Sequence, residues 1–195
     1  MLPLLISTLR EDAAAPQLAP EGEGCVYCGL SAGAHGDGPR CCALCHLVRH
    51  LERPRIDDEL HLIWLPEISQ AALICIVREM HAQLHAKGQR PDATSCPGIV
   101  TREGQAIHFV RAALLARTDV AAGHLGTNLP SELAHCLARM PRGSYDRRHR
   151  LLGGLRALPA GQFFAGSDDV YPRIVESWRK PEPAANADIP NRSTG

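Results

Sequence analysis

The sequence predicts an α+β protein in which a small zinc-knuckle module precedes a mainly helical body. Three observations predict this fold class. Two C-x-x-C pairs lie within Cys25–Cys45, a glycine-dense segment that suits tight turns better than a hydrophobic core. The apolar run Leu60–Leu65 has the length of a buried strand. Apolar residues then recur every three or four positions over Gln70–Ala86, the spacing of a core-facing helix stripe.

Charge and hydropathy narrow the possible classes of protein. The 21 basic and 21 acidic side chains cancel and only 4% of the 195 residues are aromatic, which argues against a dedicated nucleic-acid binder. No stretch reaches the roughly 18 to 20 apolar residues that a membrane-spanning helix needs. The apolar opening Met1–Ser7 has no preceding basic residue and is short for an export signal. We therefore interpret it as a first strand and expect a cytoplasmic protein.

The order of segments predicts three parts. Residues 1–66 hold the first strand, a linker and the zinc-knuckle module; residues 67–180 form a helical body packed on it. Residues 181–195, rich in Pro, Ala and Asn, form a disordered tail. Ser69 is the predicted N-cap of the first long helix and Gly88 its end. Further helices are predicted over His46–Glu52, Arg102–Thr118, Ser131–Met140 with Ser131 as N-cap, Arg147–Leu158 and Val170–Lys180.

The cysteine pairs predict one structural zinc ion per chain. Cys25 and Cys28 are separated by a gap of 13 residues from Cys42 and Cys45. Each C-x-x-C lets two thiolates of a tight turn converge on one ion, and two pairs complete the tetrahedron that zinc accepts. Without an export signal, the thiols lie in a reducing compartment, where metal binding is favoured over disulfides. Four thiolates leave no coordination position for a catalytic water, so the predicted role is structural.

Other ligand sets remain open at this stage. Cys41 could pair with Cys45 at a spacing of four, and His46 or His50 could replace one sulfur. The alternative to a metal site is a set of buried reduced thiols or a redox C-x-x-C, although the βαβ pattern expected around a redox motif is missing. His81 and His85 could share a second metal, but no Glu follows His81 as in metalloproteases.

A second group of alternatives concerns nucleic acids. C-x-x-C-G followed by C-x-x-C-H resembles the metal-binding frame of HNH endonucleases, a treble-clef arrangement. Such an enzyme also needs a His general base between the pairs and a second metal at the phosphate. His35 is the only histidine there, and the glycine-rich stretch around it leaves little room for the hairpin and its ligands, so we expect the catalytic part to be missing. A zinc-stabilised nucleic-acid binder would use the arginines near one loop, namely Arg142, Arg147, Arg148 and Arg150.

Four segments in order resemble the IcmJ/DotN family, whose members are components of type IVB (Dot/Icm-like) secretion and related conjugation systems. The segments are C-V-Y-C-G, C-C-A-L-C, L-I-W-L-P-E-I-S-Q-A-A-L and I-V-E-S-W. The resemblance extends over about Cys25–Lys180. In the middle of this region the chain matches the family only in being helical. This chain differs in having a shorter N-terminal region and a shorter segment between the cysteine pairs.

The resemblance implies an HNH-like, treble-clef zinc module without nuclease activity. It implies zinc ligands at Cys25, Cys28, Cys42 and Cys45, with Cys41 outside the set. It also implies a non-catalytic adaptor of the coupling complex, which binds the extended C-terminal tail of the coupling ATPase and other subunits. Such a protein is cytoplasmic and peripheral at the inner membrane through its complex. We expect Trp64 and Trp178 to lie in the core rather than at an interface.

Overall fold

The computed structural model describes residues 4–8, 24–30, 41–91 and 101–178. Within these ranges the protein combines helices with two small antiparallel sheets, so the mixed helix and strand content is confirmed. The helices are α1 (Ala43–Arg49), α2 (Ile56–Glu59), α3 (Gln70–Ala86), α4 (Arg102–Leu115), α5 (Thr118–Leu125), α6 (Pro130–Arg139), α7 (Arg142–Asp146), α8 (Arg148–Leu151) and α9 (Tyr171–Ser177). The strands are β1 (Leu60–Trp64), β2 (Leu155–Pro159), β3 (Phe164–Ala165) and β4 (Asp168–Asp169).

Strands β1 and β2 form the central sheet. They pair antiparallel, with Leu60 opposite Pro159 and Trp64 opposite Leu155. β1 confirms the strand that the apolar run predicted. The helix predicted over Arg147–Leu158 is wrong, because only the four-residue α8 forms there before the chain enters β2.

The turn into β2 depends on a glycine. Gly154 lies against the Trp64 indole so closely that a Cβ at this position would fall inside the ring. The carbonyl of Gly154 accepts the N–H of Leu65 at 2.7 Å. The indole also stacks on the His124 ring, with 3.9 Å between centroids. Trp64 is partly buried against the core, as expected.

Helix α3 has the predicted bounds and the predicted caps. The Ser69 hydroxyl accepts the N–H of Ala72 at 3.1 Å, and Gly88 follows the helix with a φ of 68°. The three-and-four spacing places Ile76 on the core face of the helix, but Ile76 is 42% exposed and Ile74 is fully buried. The helix is also joined to the sheet: the Gln70 side chain donates to the carbonyl of Ala157 (2.7 Å) and accepts its N–H (2.8 Å).

The helix predicted over Arg102–Thr118 is two helices, α4 and α5. The break lies at Arg117, whose carbonyl accepts the Trp64 N–H and whose guanidinium donates to the Trp64 carbonyl, both at 3.2 Å. Arg117 also pairs with Glu67 at 3.1 Å. The chain therefore bends where Arg117 is held against the end of β1.

Helix α6 begins one residue earlier than predicted, with Leu129 as N-cap and Pro130 in the first turn. The prediction of Ser131 as N-cap is wrong. Its N–H and hydroxyl bind the Asp57 carboxylate instead, at 2.9 and 2.5 Å. These bonds attach α6 to α2 rather than capping it. The last helix, α9, carries Trp178 at its C-cap, partly buried against the core.

The segment over residues 4–8 is not a strand, so this part of the Met1–Ser7 prediction is wrong. Ser7 donates its N–H to the carbonyl of Val48 and accepts the N–H of Leu51, both at 3.2 Å. Its hydroxyl donates to the carbonyl of Arg49 at 2.9 Å. The segment therefore caps the carboxyl end of α1, which spans Ala43–Arg49 and begins earlier than the predicted helix.

One hydrophobic cluster includes the cysteine-bearing segments, β1, α3, β2 and α9. The β1–β2 pairing joins a strand from residues 1–66 to a strand from residues 67–180. The division between those two parts stays a prediction, and the predicted tail over residues 181–195 lies outside the described residues. Among the described helices, none has the length and apolar character needed to cross a membrane.

Candidate metal centre

The first cysteine pair lies in a tight turn over residues 24–30, here called the first turn. The Gly29 N–H donates to the Cys25 carbonyl and the Cys25 N–H donates to the Leu30 carbonyl, both at 2.8 Å. Gly29, the residue after the pair, has a φ of 74°, in the left-handed region that favours glycine. The closed turn brings the sulfur atoms of Cys25 and Cys28 together without a hydrophobic core of its own.

The second pair is positioned by helix α1. Cys42 is its N-cap and Cys45 lies in its first turn. The helix packs in the core, where Leu44, Leu47 and Val48 are all fully buried. Helix packing thus fixes the second pair, whereas backbone hydrogen bonds fix the first.

The Sγ atoms of Cys25, Cys28, Cys42 and Cys45 all lie within 4.8 Å of one another, and could hold a metal ion. The Sγ atoms of Cys28 and Cys42 are 3.7 Å apart. All four residues are buried, none more than 7% exposed. Backbone groups also point at the sulfurs, because Cys42 donates its N–H to the Cys25 Sγ at 3.4 Å. Such N–H···S bonds stabilise sulfur atoms that carry negative charge.

The electrostatics of the cluster require a cation if all four thiols ionise. Contacts with the other thiols, Cys28 first among them, lower the pKa of Cys25. The contact with Cys25 opposes ionisation of Cys28, but contacts with Cys42 and Cys45 outweigh it and lower the pKa of Cys28 as well. Contacts with Cys25 and Cys28, together with burial, raise the pKa of Cys42 and of Cys45. Four like charges within 4.8 Å repel one another strongly in a buried site. A bound metal cation removes this repulsion and allows every sulfur to act as a thiolate ligand.

The three alternative ligands lie beside the cluster and have other contacts. The Cys41 thiol donates to the carbonyl of Cys42 at 3.5 Å, and contact with the Cys25 thiol raises its pKa. The rings of His46 and His50 pack with centroids 4.1 Å apart, and His50 Nδ1 pairs with Glu52 at 2.8 Å. Among the described residues, the group whose ligand atoms all lie within 4.8 Å of one another is the four-cysteine set.

The alternative second metal pair, His81 and His85, does not belong to any group of three or more metal-binding side chains among the described residues. His81 is buried and its Nδ1 is 2.5 Å from the Tyr171 hydroxyl, a group buried in the core. Burial raises the pKa of this tyrosine, which keeps the hydroxyl protonated. His85 lies one turn further along α3 and is half-buried. His81 therefore anchors α9 to α3.

The candidate residues that remain are three cysteines and His35. His35, the candidate general base, and Cys96 lie outside the described residues. Cys75 lies close to the cluster, with its thiol 3.8 Å from the Cys28 carbonyl. Cys136 is exposed on α6.

The arginines that a nucleic-acid binder would use are partly engaged in the fold. Arg148 donates to the carbonyls of Ile6 (2.9 Å) and Tyr145 (3.0 Å) and lies over the Tyr145 ring. Arg147 donates to the carbonyl of Gly143 at 3.0 Å. Tyr145 in turn donates its hydroxyl to the carbonyl of Thr8 at 2.9 Å. Sequence reasoning missed this attachment of residues 4–8 to α7 and α8, because no local pattern connects residues about 140 positions apart.

No protein-family model and no curated protein matches this chain. The interpretation of the site therefore depends on the geometry of its own residues. That geometry is four convergent buried sulfurs, two from a backbone-closed turn and two from the start of a buried helix.

Proposed function

We propose that the four cysteines bind one structural zinc ion. A tetrahedron with Zn–S bonds of about 2.3 Å has sulfur atoms roughly 3.8 Å apart. The 3.7 Å separation of the Cys28 and Cys42 sulfurs fits this spacing. Thiolates are soft ligands that favour zinc over magnesium or calcium. With four of them, the ion has no open position for a water nucleophile, so its contribution is a cross-link between the first turn and α1.

We further propose that the chain is a non-catalytic adaptor subunit of the IcmJ/DotN kind, with an HNH-like, treble-clef zinc module. The buried four-sulfur cluster is the observation that carries the proposal, because a saturated, buried ion suits a scaffold rather than a hydrolytic enzyme. The partner is the extended C-terminal tail of a coupling ATPase, in a type IVB secretion or conjugation complex. The subunit works in the cytoplasm at the inner membrane, to which its complex attaches it.

The organisation of residues 62–73 supports this proposal. The family-like segment L-I-W-L-P-E-I-S-Q-A-A-L covers most of β1, the Ser69 cap and the first turn of α3. Gln70 bonds this segment to β2, and Cys75 on the same helix contacts the first turn. The segment thus joins the metal centre to the sheet as one rigid unit, which is what an adaptor needs to present a preformed surface.

The experiment is co-purification of the full chain with the C-terminal tail of a type IVB coupling ATPase. The expected result is a complex that persists in 300 mM salt in about a one-to-one ratio. The Cys28→Ser variant loses the tail, whereas Cys41→Ser retains it, since only Cys28 belongs to the four-sulfur set.

A nuclease assay tests the alternative function, that of an HNH-type endonuclease. The purified chain is incubated with supercoiled plasmid and Mg²⁺ or Mn²⁺, beside a His35→Ala variant. The proposal predicts no nicking by either protein. Nicking that disappears in the His35→Ala variant would replace the adaptor with an HNH-type endonuclease.

A further inference from the structure

A groove of about 550 Å³ opens on the surface beside the metal centre. It lies between residues 4–6, the first turn, the start of α3 and the segment from α8 to β2. It is partly open to solvent, and its size is that of a few peptide side chains. The lining residues are Leu4, Leu5, Ile6, Tyr27, Ser69, Gln70, Ala71, Arg148, His149, Leu152, Gly153, Leu155 and Arg156.

The lining combines apolar walls with basic groups. Leu4, Ile6 and Leu155 are buried members of the core that face the groove. Arg148 and Arg156 supply the positive charges and His149 adds an imidazole, and none of the described lining residues is acidic. Since the whole chain has a formal charge of zero, this local excess of positive charge favours a ligand that carries negative charge.

Both groove arginines donate to backbone carbonyls, and among the described residues each has one amino group without an acceptor. Arg156 donates from Nε to the carbonyl of Ile68 at 2.7 Å and from Nη1 to that of Gly153 at 2.9 Å. Arg148 uses Nε and Nη1 in the same way, for Ile6 and Tyr145. Within the described part of the chain, the Nη2 group of each arginine makes no hydrogen bond. A guanidinium fixed by backbone carbonyls is preorganised to bind a carboxylate with its remaining amino group.

The backbone of the groove wall also has groups that form no hydrogen bond with another described residue. Within the described ranges, no hydrogen bond is made by the N–H or carbonyl of Leu4 or Leu5, or by the Ile6 N–H. A free small anion has no use for a row of main-chain donors and acceptors. A peptide can pair with such a row through its own main chain while its side chains enter the pockets.

We propose that this groove binds a linear peptide segment of a partner protein, in which acidic side chains flank an apolar one. The apolar side chain enters between Leu4, Ile6 and Leu155, the carboxylates approach Arg148 and Arg156, and the main chain bonds to residues 4–6. This inference rests on the proposed function only for the identity of the partner, because the tail of a coupling ATPase is one such segment. Peptide binding itself is inferred from the residues of this chain alone.

The groove is coupled to the metal centre through Tyr27. This residue lies between the cysteines of the first pair and lines the groove. It is 3% exposed, and the Arg49 guanidinium lies over its ring, 5.0 Å from the centroid. Removal of the metal releases the first turn and with it one wall, so peptide binding depends on the metal.

The test measures fluorescence anisotropy of a labelled dodecapeptide with alternating Leu and Glu residues, added to the full metal-loaded chain. A peptide with Gln in place of Glu is expected to bind about tenfold more weakly. His149→Glu places a negative charge at an exposed position on the rim of the groove. This variant is expected to bind the acidic peptide about fivefold more weakly. Arg142→Glu, an equally exposed change outside the groove, should alter binding less than twofold.

Several outcomes would overturn the groove proposal. They are equal binding of the Glu and Gln peptides, equal effects of the two variants, and binding to vesicles containing phosphatidylserine that exceeds binding to the peptide. Metal content and melting temperature of each variant confirm that the fold is intact. If the peptide binds as predicted but the ATPase tail does not co-purify, the proposed partner is wrong and the groove stands. If the ATPase tail co-purifies but His149→Glu does not change peptide binding, the proposed partner stands and the groove proposal is wrong.

Discussion

The first turn and the unit formed by β1, β2 and α3 are held in place by different forces. The β1–β2–α3 unit has a full antiparallel ladder, a hydrogen-bonded Gln70 and side chains such as Leu62 and Leu73 that are completely buried. The first turn has two backbone bonds between Cys25, Gly29 and Leu30, and its burial involves chiefly its sulfur atoms and Tyr27.

The proposed zinc ion accounts for this difference. A turn of seven residues buries too little apolar area to offset the conformational entropy of ordering it. A metal bound only by the folded arrangement would supply the missing free energy. The following predictions separate the two sources of stability, from the largest expected effect to the smallest.

The largest effect is expected from loss of a metal ligand. Structural zinc sites contribute on the order of 10 kcal/mol of binding free energy, which is coupled to folding. Cys28→Ser should therefore leave the chain without metal and without a cooperative urea transition, or insoluble. Cys41→Ser serves as the matched control and should keep both the metal and the transition. Equal loss in the two variants would show that Cys41 is a ligand or that burial alone matters.

The next effect comes from the buried ion pair at the edge of the sheet. Glu59 is fully buried; Arg53 donates to its two carboxylate oxygens, each bond at 2.7 Å. Removing one charge leaves the other buried and unpaired, so Glu59→Gln should lower the free energy of unfolding by about 3–5 kcal/mol. Metal content should not change. In the exposed pair of Arg55 and Asp58, Asp58→Asn should change stability by no more than about 1 kcal/mol in the same urea titration.

Adding a methyl group at the turn into β2 tests how the packing of the sheet contributes to stability. Gly154→Ala places a methyl group in the Trp64 indole and should cost about 1–3 kcal/mol of unfolding free energy. At Gly153 the added Cβ would meet the His149 carbonyl at an ordinary 3.4 Å, so Gly153→Ala is the control. Comparable midpoints for the two variants in thermal melts would contradict the close contact between Gly154 and Trp64.

The smallest effect is expected at the start of α3. Ser69→Ala removes the side-chain acceptor of the Ala72 N–H and should destabilise the protein by about 1 kcal/mol. Ser69→Asp keeps an acceptor and should restore most of that loss. Both proteins should retain the metal, since Ser69 touches no cysteine of the four-sulfur set. An unchanged urea midpoint for Ser69→Ala would mean that the cap contributes nothing.

Sequence alone predicted those elements whose signal is local. The bounds and cap of α3, the strand β1 and the glycine after the first pair all follow from spacing and residue type within one segment. The sulfur geometry was also accessible, because C-x-x-C fixes which two thiols converge. Spacing alone left Cys41 open as a ligand, whereas in the structure the sulfur atoms that lie within 4.8 Å of one another are those of Cys25, Cys28, Cys42 and Cys45.

The errors occurred where distant contacts override a local pattern. Leu151, Leu152, Leu155 and Leu158 follow helical spacing, yet pairing with β1 makes a strand of the last two. Arg117 ends α4 because it is bound to Trp64 and Glu67, more than 45 positions earlier. The segment over residues 4–8 is held by Arg148 and Tyr145 instead of a sheet. None of these partners is encoded in the neighbouring sequence.

The most direct test of the structural zinc centre is X-ray absorption at the zinc edge, combined with metal quantification, on the purified full chain. The account predicts one zinc per chain, surrounded by four sulfur scatterers at about 2.3 Å. A folded, cooperative chain with no metal would contradict it. So would an ion with an oxygen or nitrogen ligand in the fourth position, because such a site has room for chemistry that the four-cysteine cluster excludes.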